Sequence, residues 1–298
     1  MPSMCKWFFP FQKPTLTVCT EVVANEITVS ASNESGVIRG GFGEVTFQTR
    51  YGMRVAVKKS NDGGTVRQEA DILSHLKHPF IPTLLSFTDV ELVMADLGRQ
   101  SLTEVLQAGR MWRMDYDKIA WCVASALAYM HACRFHHSDV KSDNVVVDSY
   151  GDAVLIDFNL SRHSPTGVSS TQCGSISYVA PEILTGRSTW NAYMADVWSF
   201  SVLYFAILYG HLPFDSSYKV FNQFLMLHPT HGSAASLRMV WSTSGIFNRE
   251  DVKKIHEFVF DAMMQPIPPK RPTMASVEKF LYYIKHGLED PSVMQSTV

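Results

Sequence analysis

Asp139, Lys141, Asn144 and Asp157 carry the densest chemistry in this 298-residue chain. The first three share one polar loop, His137-Ser138-Asp139-Val140-Lys141-Ser142-Asp143-Asn144. That loop follows a long helical pattern and runs into the apolar strand Val145-Val146-Val147. Asp157 opens Asp157-Phe158-Asn159, thirteen residues after Asn144 and just behind a second apolar strand, Ala153-Val154-Leu155-Ile156. Two carboxylates and an amide on adjacent strand ends can hold Mg²⁺ and orient a hydroxyl. Carboxylates at loop starts are commonly mere turn formers; the Lys and Asn between these two argue for chemistry.

Three weaker signals lie upstream. Ile38-Arg39-Gly40-Gly41-Phe42-Gly43-Glu44-Val45 sits between strand-like segments. Its glycines let backbone N–H groups approach a phosphate, and the same residues suit an ordinary hairpin turn. Fifteen residues past Gly43, Lys58 closes the short apolar strand Val55-Ala56-Val57. It is either a cation for a bound phosphate or a solvated strand end. Alternation favours Lys58 over Lys59, because Val55 and Val57 share one face while Ala56 and Lys58 share the other. Glu69, on the helical pattern that follows, can pair with Lys58 or simply face water.

The elements that must position these groups fall into two parts. From about Glu26 to Phe87 the chain reads as strand-rich, with turns at Gly40-Gly41, Gly52 and Asp62-Gly63-Gly64. One helix interrupts it, with Val66, Ala70, Leu73 and Leu76 at helical spacing before Pro79. Leu92-Val93-Met94 is a further short strand, and Leu97-Gly98-Arg99-Gln100 a connector. Beyond it the chain turns helical. Asp115 can cap a helix running through Ile119, Val123, Ala126, Leu127 and Met130. Further helices are expected near 194–209, 217–227, 250–264 and 273–285.

Composition sets limits. The 46% apolar content supports a sizeable core, and a net charge of −2 argues against nucleic-acid binding through bulk positive charge. Cys5, Cys19, Cys122, Cys133 and Cys173 show no metal-ligand spacing and read as free thiols in a reducing compartment. No cleavable leader is read in Met1–Phe11. The apolar run Val197–Tyr209 is too short to span a bilayer and reads as a buried core helix. An intracellular protein without membrane partners is expected, cytoplasmic or nuclear.

Taken together, these motifs resemble those of the eukaryotic-type protein kinases over roughly residues 35–285. Independent landmarks agree. They are His78-Pro79-Phe80-Ile81, nine residues after Glu69; the segment Gly174–Glu182; Asp196-Val197-Trp198-Ser199-Phe200; Gly210-His211-Leu212-Pro213-Phe214; and Lys270-Arg271-Pro272. The resemblance implies an α+β, bilobal fold: a small β-rich lobe with one main helix (26–94), a hinge (95–99) and a larger helical lobe (100–288). Residues 1–25 would be an N-terminal extension and 289–298 a tail.

It further implies ATP with Mg²⁺ (Mn²⁺ as an alternative) and protein Ser/Thr substrates. Lys58, partnered by Glu69, would bind the α/β-phosphates; Asp139 would take the substrate hydroxyl proton; Lys141 would steady the γ-phosphate. Asn144 and Asp157 would hold the metal. Gly40, Gly41, Phe42 and Gly43 would cover the phosphates. Ala95, Asp96 and Leu97 would face adenine with their backbone, Met94 would sit at the pocket's rear, and Val45, Ala56 and Val146 would sandwich the ring. Lys141 and Ser175 fit the Ser/Thr rather than the Tyr pattern, with the Ser175 hydroxyl bridging Asp139 and Lys141. Glu182 and Arg271 would form a buried structural ion pair.

The chain also departs from the family. Ile38 replaces the first loop glycine and is expected to shape the roof of the adenine pocket. Ser138 replaces the usual Arg, which often receives an activation-segment phosphate; its loss implies activity without that phosphate. Asn159 replaces Gly and is expected to take left-handed backbone, which Asn tolerates best after Gly. Ser201, for a common Gly, should affect packing only. The short Lys58–Glu69 connection should hold the helix close. Competing readings are a scaffold that binds nucleotide without phosphotransfer and a small-molecule phosphotransferase, which usually lacks the 175–182 segment. Compact kinases of large DNA viruses share such relaxed landmarks with fast-diverging cellular ones.

Overall fold

The computed structural model describes residues 37–288 apart from 41–42, 51, 61, 98–99, 111–113, 149, 172–173, 186–187, 215–218 and 242–253. The expectations for Gly41, Phe42, Gly98, Arg99, the 1–25 extension and the 289–298 tail lie outside the described residues.

The first part is one antiparallel sheet and one helix. Strands β1 (Val37–Gly40), β2 (Gly43–Arg50), β3 (Met53–Lys59), β4 (Leu84–Phe87) and β5 (Glu91–Ala95) order as β1-β2-β3-β5-β4. Val55 and Val57 on β3 are buried with Val93 of β5. The register puts Val45 opposite Lys58, Lys58 opposite Leu92 and Ala56 opposite Met94, so these residues share the other face. Gly43 has φ +137°, and a Cβ there would lie 2.0 Å from the Lys59 carbonyl oxygen, so only glycine fits.

Helix α1 (Gly63–His75) starts earlier than the turn reading of Asp62-Gly63-Gly64 allows. Asp62 is its N-cap and accepts the Gly64 N–H at 3.0 Å. A capped first turn tolerates the two glycines, because its N–H groups have no helical partner to lose. The apolar face Val66, Ala70, Ile72 and Leu73 is buried, and Glu69 with it.

The second part is helical. It comprises β6 (Gln100–Ser101), α2 (Leu102–Gln107), α3 (Tyr116–Ala132), β7 (Phe135–His136), β8 (Val145–Val147), β9 (Ala153–Leu155), β10 (Arg162–His163), β11 (Val168–Ser169), α4 (Pro181–Leu184), β12 (Trp190–Asn191), α5 (Ala192–Tyr209), α6 (Lys219–His231), α7 (Ser233–Val240), α8 (Lys254–Met263) and α9 (Met274–Lys285). Asp115 caps α3 as expected, accepting the Lys118 N–H. Helix α7 was not anticipated.

Helix α5 is 18 residues, longer than the apolar run suggested, because Asn191 caps it a turn earlier. By length and composition it could cross a membrane, yet 83% of it is buried inside the fold, which makes it the core helix. Trp198, Phe200, Tyr204 and Phe205 are fully enclosed, each phenylalanine contributing about 1.5–3 kcal/mol of burial. Ser201 sits among them, its hydroxyl satisfied by the Trp198 carbonyl at 2.7 Å. Arg271 meets Glu182 through two bonds, 2.6 and 2.7 Å, with both side chains buried.

Candidate active site

Three elements converge on Lys58. Strand β3 delivers it to the half of its sheet that faces α1, and its Nζ donates to Glu69 Oε2 at 2.7 Å and to Asp157 Oδ1 at 2.8 Å. Burial pushes the ammonium's pKa down, but the two carboxylates outweigh it and hold it above the usual lysine value. Burial likewise raises Asp157, and Lys58 reverses that, leaving its pKa lowered. In Glu69 burial prevails and the pKa stays raised, although Lys58 and the Phe158 N–H (3.1 Å) both favour its charged form.

A second cluster surrounds Asp139, which is 6% exposed. The chain leaves α3 through β7 and turns at Ser138, whose φ is +65°. Asp139 Oδ1 accepts the Ser175 hydroxyl at 3.1 Å, and Oδ2 accepts Lys141 Nζ at 2.8 Å and Asn144 Nδ2 at 2.9 Å. Lys141 also donates to Ser175 Oγ at 2.9 Å, closing a triangle. Asn144 lies in a single 3₁₀ turn, Ser142–Asn144, just before β8, and its Nδ2 also bonds the Asp139 carbonyl at 2.8 Å. With that nitrogen engaged, Oδ1 is the atom left to meet a metal. Hard oxygen donors, one carboxylate and one amide, suit Mg²⁺, which needs few protein ligands when phosphates complete its shell. Among the described residues no group of three or more His, Cys, Asp or Glu could hold a metal.

The turn before Asp139 hangs on Asp196 of α5, a residue the sequence marked only as a landmark. This fully buried carboxylate accepts the N–H groups of His137 and Ser138, both at 2.8 Å, and His131 Nε2 at 3.0 Å. Burial alone would raise its pKa; the His131 hydrogen bond and the surrounding histidines bring it below the usual value. A lone acid inside the apolar run Ala195–Phe205 was the available signal, since a buried charge must be paired.

The apolar positions line up less completely. Val45, Ala56, Met94, Ala95, Leu97 and Val146 are all half-buried. Val146 faces away from its buried neighbours Val145 and Val147. The Ala95 N–H is used by the Thr83 carbonyl and the Asp96 N–H by the Arg54 carbonyl. Leu97 is thus the residue of the three whose N–H has no partner among the described residues. Gly40 closes β1 opposite Gly43, and Ile38 pairs with Val45 through the backbone.

The segment 157–182 is held to the helical part by backbone pairing, by hydroxyls and by cations: Arg134 Nη1 donates to the Pro165 carbonyl at 2.9 Å, Lys141 to Ser175 and Arg271 to Glu182. Strand β10 pairs with β7, and β11 with β12. Ser164 N–H donates to the Arg134 carbonyl at 2.8 Å, and Ala192 N–H to the Gly167 carbonyl at 2.7 Å. Tyr193 packs over Gly167, where a Cβ would lie 2.7 Å from the ring, and its hydroxyl donates to the Ser164 carbonyl. The Ser138 hydroxyl bonds His136 at 2.6 Å. A crevice beside Asp139 is lined by Val140, Gly174, Val179, Trp190 and Asp196.

A protein kinase domain model matches residues 34–283. The chain belongs to the protein kinase family. Similar proteins include an Aurora kinase of Patiria pectinifera, 30% identical over 187 residues, 59% of this kinase and 46% of the relative. A CBL-interacting serine/threonine-protein kinase 1 of Arabidopsis thaliana is 33% identical over 195 residues, covering 59% and 44%. A carbon catabolite-derepressing protein kinase of Candida tropicalis is 30% identical over 194 residues, covering 60% and 31%. The matches thus span about a third to a half of the length of these relatives.

One expectation is corrected. Left-handed backbone falls on Asp157 (φ +66°), not on Asn159. The Asn side chain is therefore not there to relieve backbone strain. It is 4% exposed, and neither Nδ2 nor Oδ1 has a partner among the described residues. Replacing Asn159 with Ala should remove this unsatisfied amide and stabilise the kinase by about 1–2 kcal/mol. Differential scanning calorimetry should show a Tm rise of about 3–6 °C; a fall would mean the amide is bonded in solution.

Proposed function

We propose that this kinase transfers the γ-phosphate of ATP to Ser and Thr hydroxyls of proteins, with Mg²⁺, and does so without a phosphate on residues 157–182. The observation that carries this reading is the Asp139–Lys141–Ser175 triangle: a buried carboxylate beside a cation and a hydroxyl, the last contributed by the segment next to the crevice. Relatives named as serine/threonine kinases support the choice of acceptor.

Each side chain then has a task. Lys58, kept charged by two carboxylates, meets the α/β-phosphates. Asp139 orients the acceptor hydroxyl and receives its proton. Lys141, already beside Asp139, steadies the transferring group. Asn144 and Asp157 would hold Mg²⁺, which supplies charge neutralisation across the phosphates. Val45, Ala56, Met94 and Val146 would enclose adenine, with the Leu97 N–H available to it. Catalysis by positioning and charge compensation asks no covalent step of the protein.

Independence from phosphorylation is supported by Ser138 and by the backbone and hydroxyl bonds that anchor residues 162–169. The Ser138 hydroxyl carries no charge to receive a phosphate and bonds His136 instead. Phosphatase-treated protein should therefore incorporate labelled phosphate into a mixed Ser/Thr peptide library at a rate within about twofold of the untreated protein. Chelation of Mg²⁺, or Asp157→Ala, should abolish the signal. Loss of activity on phosphatase treatment would end the independence claim. No transfer by the wild type, with nucleotide still bound, would favour the scaffold reading.

A further inference from the structure

We propose that Gln68 is a positioning residue whose side-chain amide latches α1 to residues 157–161 and thereby sets the Lys58–Glu69–Asp157 arrangement. The functional consequence rests on the reading of Lys58 and Asp157 as nucleotide-binding groups; the latch itself does not.

Two adjacent side chains of α1 reach the segment. Glu69 accepts the Phe158 N–H, while Gln68 Nε2 donates to the Asn159 carbonyl at 2.7 Å and reaches the Ser161 carbonyl at 3.5 Å. On β10, Arg162 Nη1 donates to the same two carbonyls, at 2.9 and 2.7 Å. Two backbone oxygens thus accept both an amide from α1 and a guanidinium from β10. Position 159 works through its carbonyl, and its own amide is idle. That explains how Asn can stand there with ordinary backbone.

Gln68 differs from its neighbour in one useful respect. Glu69 is part of the charge cluster on Lys58, so removing it alters phosphate binding directly. Among the described residues the side-chain hydrogen bonds of Gln68 go to backbone carbonyls and not to the charge cluster, so its effect passes through the placement of α1 and of Asp157. If α1 drifts from the segment, Glu69 leaves Lys58, and Lys58 is left to Asp157 alone. A bond present in the free protein and throughout the reaction changes the population of the binding-competent arrangement rather than the chemical step.

Gln68→Met keeps the side chain's length and removes the donor; Gln68→Lys returns a donor. Amide exchange of the nucleotide-free protein should accelerate about three- to tenfold in α1 and in 158–161 together for Gln68→Met, the worth of one hydrogen bond, and return toward wild type for Gln68→Lys. KM for ATP, and the dissociation constant of a fluorescent ATP analogue, should rise together and by no more than that factor, with kcat within about twofold at saturation. Unchanged exchange in Gln68→Met, or a Gln68→Lys variant as impaired as Gln68→Met, overturns the latch. Accelerated exchange in a protein that binds no nucleotide upholds the latch and refutes the nucleotide reading instead.

Discussion

Asp139→Asn is expected to lower turnover about 10²- to 10⁴-fold while leaving nucleotide affinity nearly unchanged. The separation follows from geometry. Lys58 bonds both Glu69 and Asp157, and none of the three has a bond to Asp139 among the described contacts. The substitution keeps shape but turns one acceptor into a donor. Placed at Oδ2, the new NH₂ would face Lys141 Nζ and Asn144 Nδ2, both donors. Flipped to Oδ1 it would face Ser175 Oγ, which already accepts from Lys141. The first orientation breaks the bond to Lys141, the second reverses the bond to Ser175, whose oxygen has a second lone pair, and in both the proton acceptor is lost. Initial rates of phosphate transfer across an ATP titration test this. Turnover within threefold of wild type would remove Asp139 from its proposed role.

Much of this site was legible because its determinants are local. Alternation along Val55-Ala56-Val57-Lys58 is enough to choose Lys58 over Lys59, and β3 pairs as that alternation requires. Asp139, Lys141 and Asn144 lie within six residues, so one loop fixes their relation. The bilobal division was equally legible, since glycine turns and β-branched runs give way to long apolar helical patterns. What resisted reading was long-range or conformational. The three donors on Asp196 come from positions 131, 137 and 138, and no spacing pattern connects them. Sequence can say that Asn tolerates positive φ, but not which residue of Asp157-Phe158-Asn159 takes it; tertiary bonds to Lys58 and Glu69 assign it to Asp157. Gln68 reads as one more polar helix residue until its carbonyl partners, ninety-one positions away in Asn159, are seen. Helix α7 begins straight after Gly232, beyond the helical pattern expected near 217–227.

Arg271→Leu is expected to destabilise the kinase by about 3–5 kcal/mol, because it strands the Glu182 carboxylate where water cannot reach it. Arg271 lies before α9 and Glu182 in α4, so the pair ties the end of the 174–182 segment to the last helix. The guanidinium does more than pair. It donates to the carbonyls of Gln265 at 2.7 Å and Met194 at 2.8 Å, and lies 5.2 Å from the Trp198 ring centre. Leu fills part of the volume and satisfies none of these groups. The double variant Glu182→Leu/Arg271→Leu removes the buried charge as well and leaves only the two carbonyls unmatched. It should therefore be more stable than Arg271→Leu alone, by about 2 kcal/mol in a double-mutant cycle. Urea denaturation of the four proteins measures this directly. A single-variant loss below about 1 kcal/mol would show the pair to be solvated or dispensable. Tyr178 links the same segment to Ser142, two hydrogen bonds to the loop that carries Asp139, and Ser175 bonds Asp139 itself. Arg271→Leu should accordingly lose phosphotransfer at temperatures where its helical content is still intact, since loosening at Glu182 reaches Asp139 through Ser175 before the core helix α5 melts.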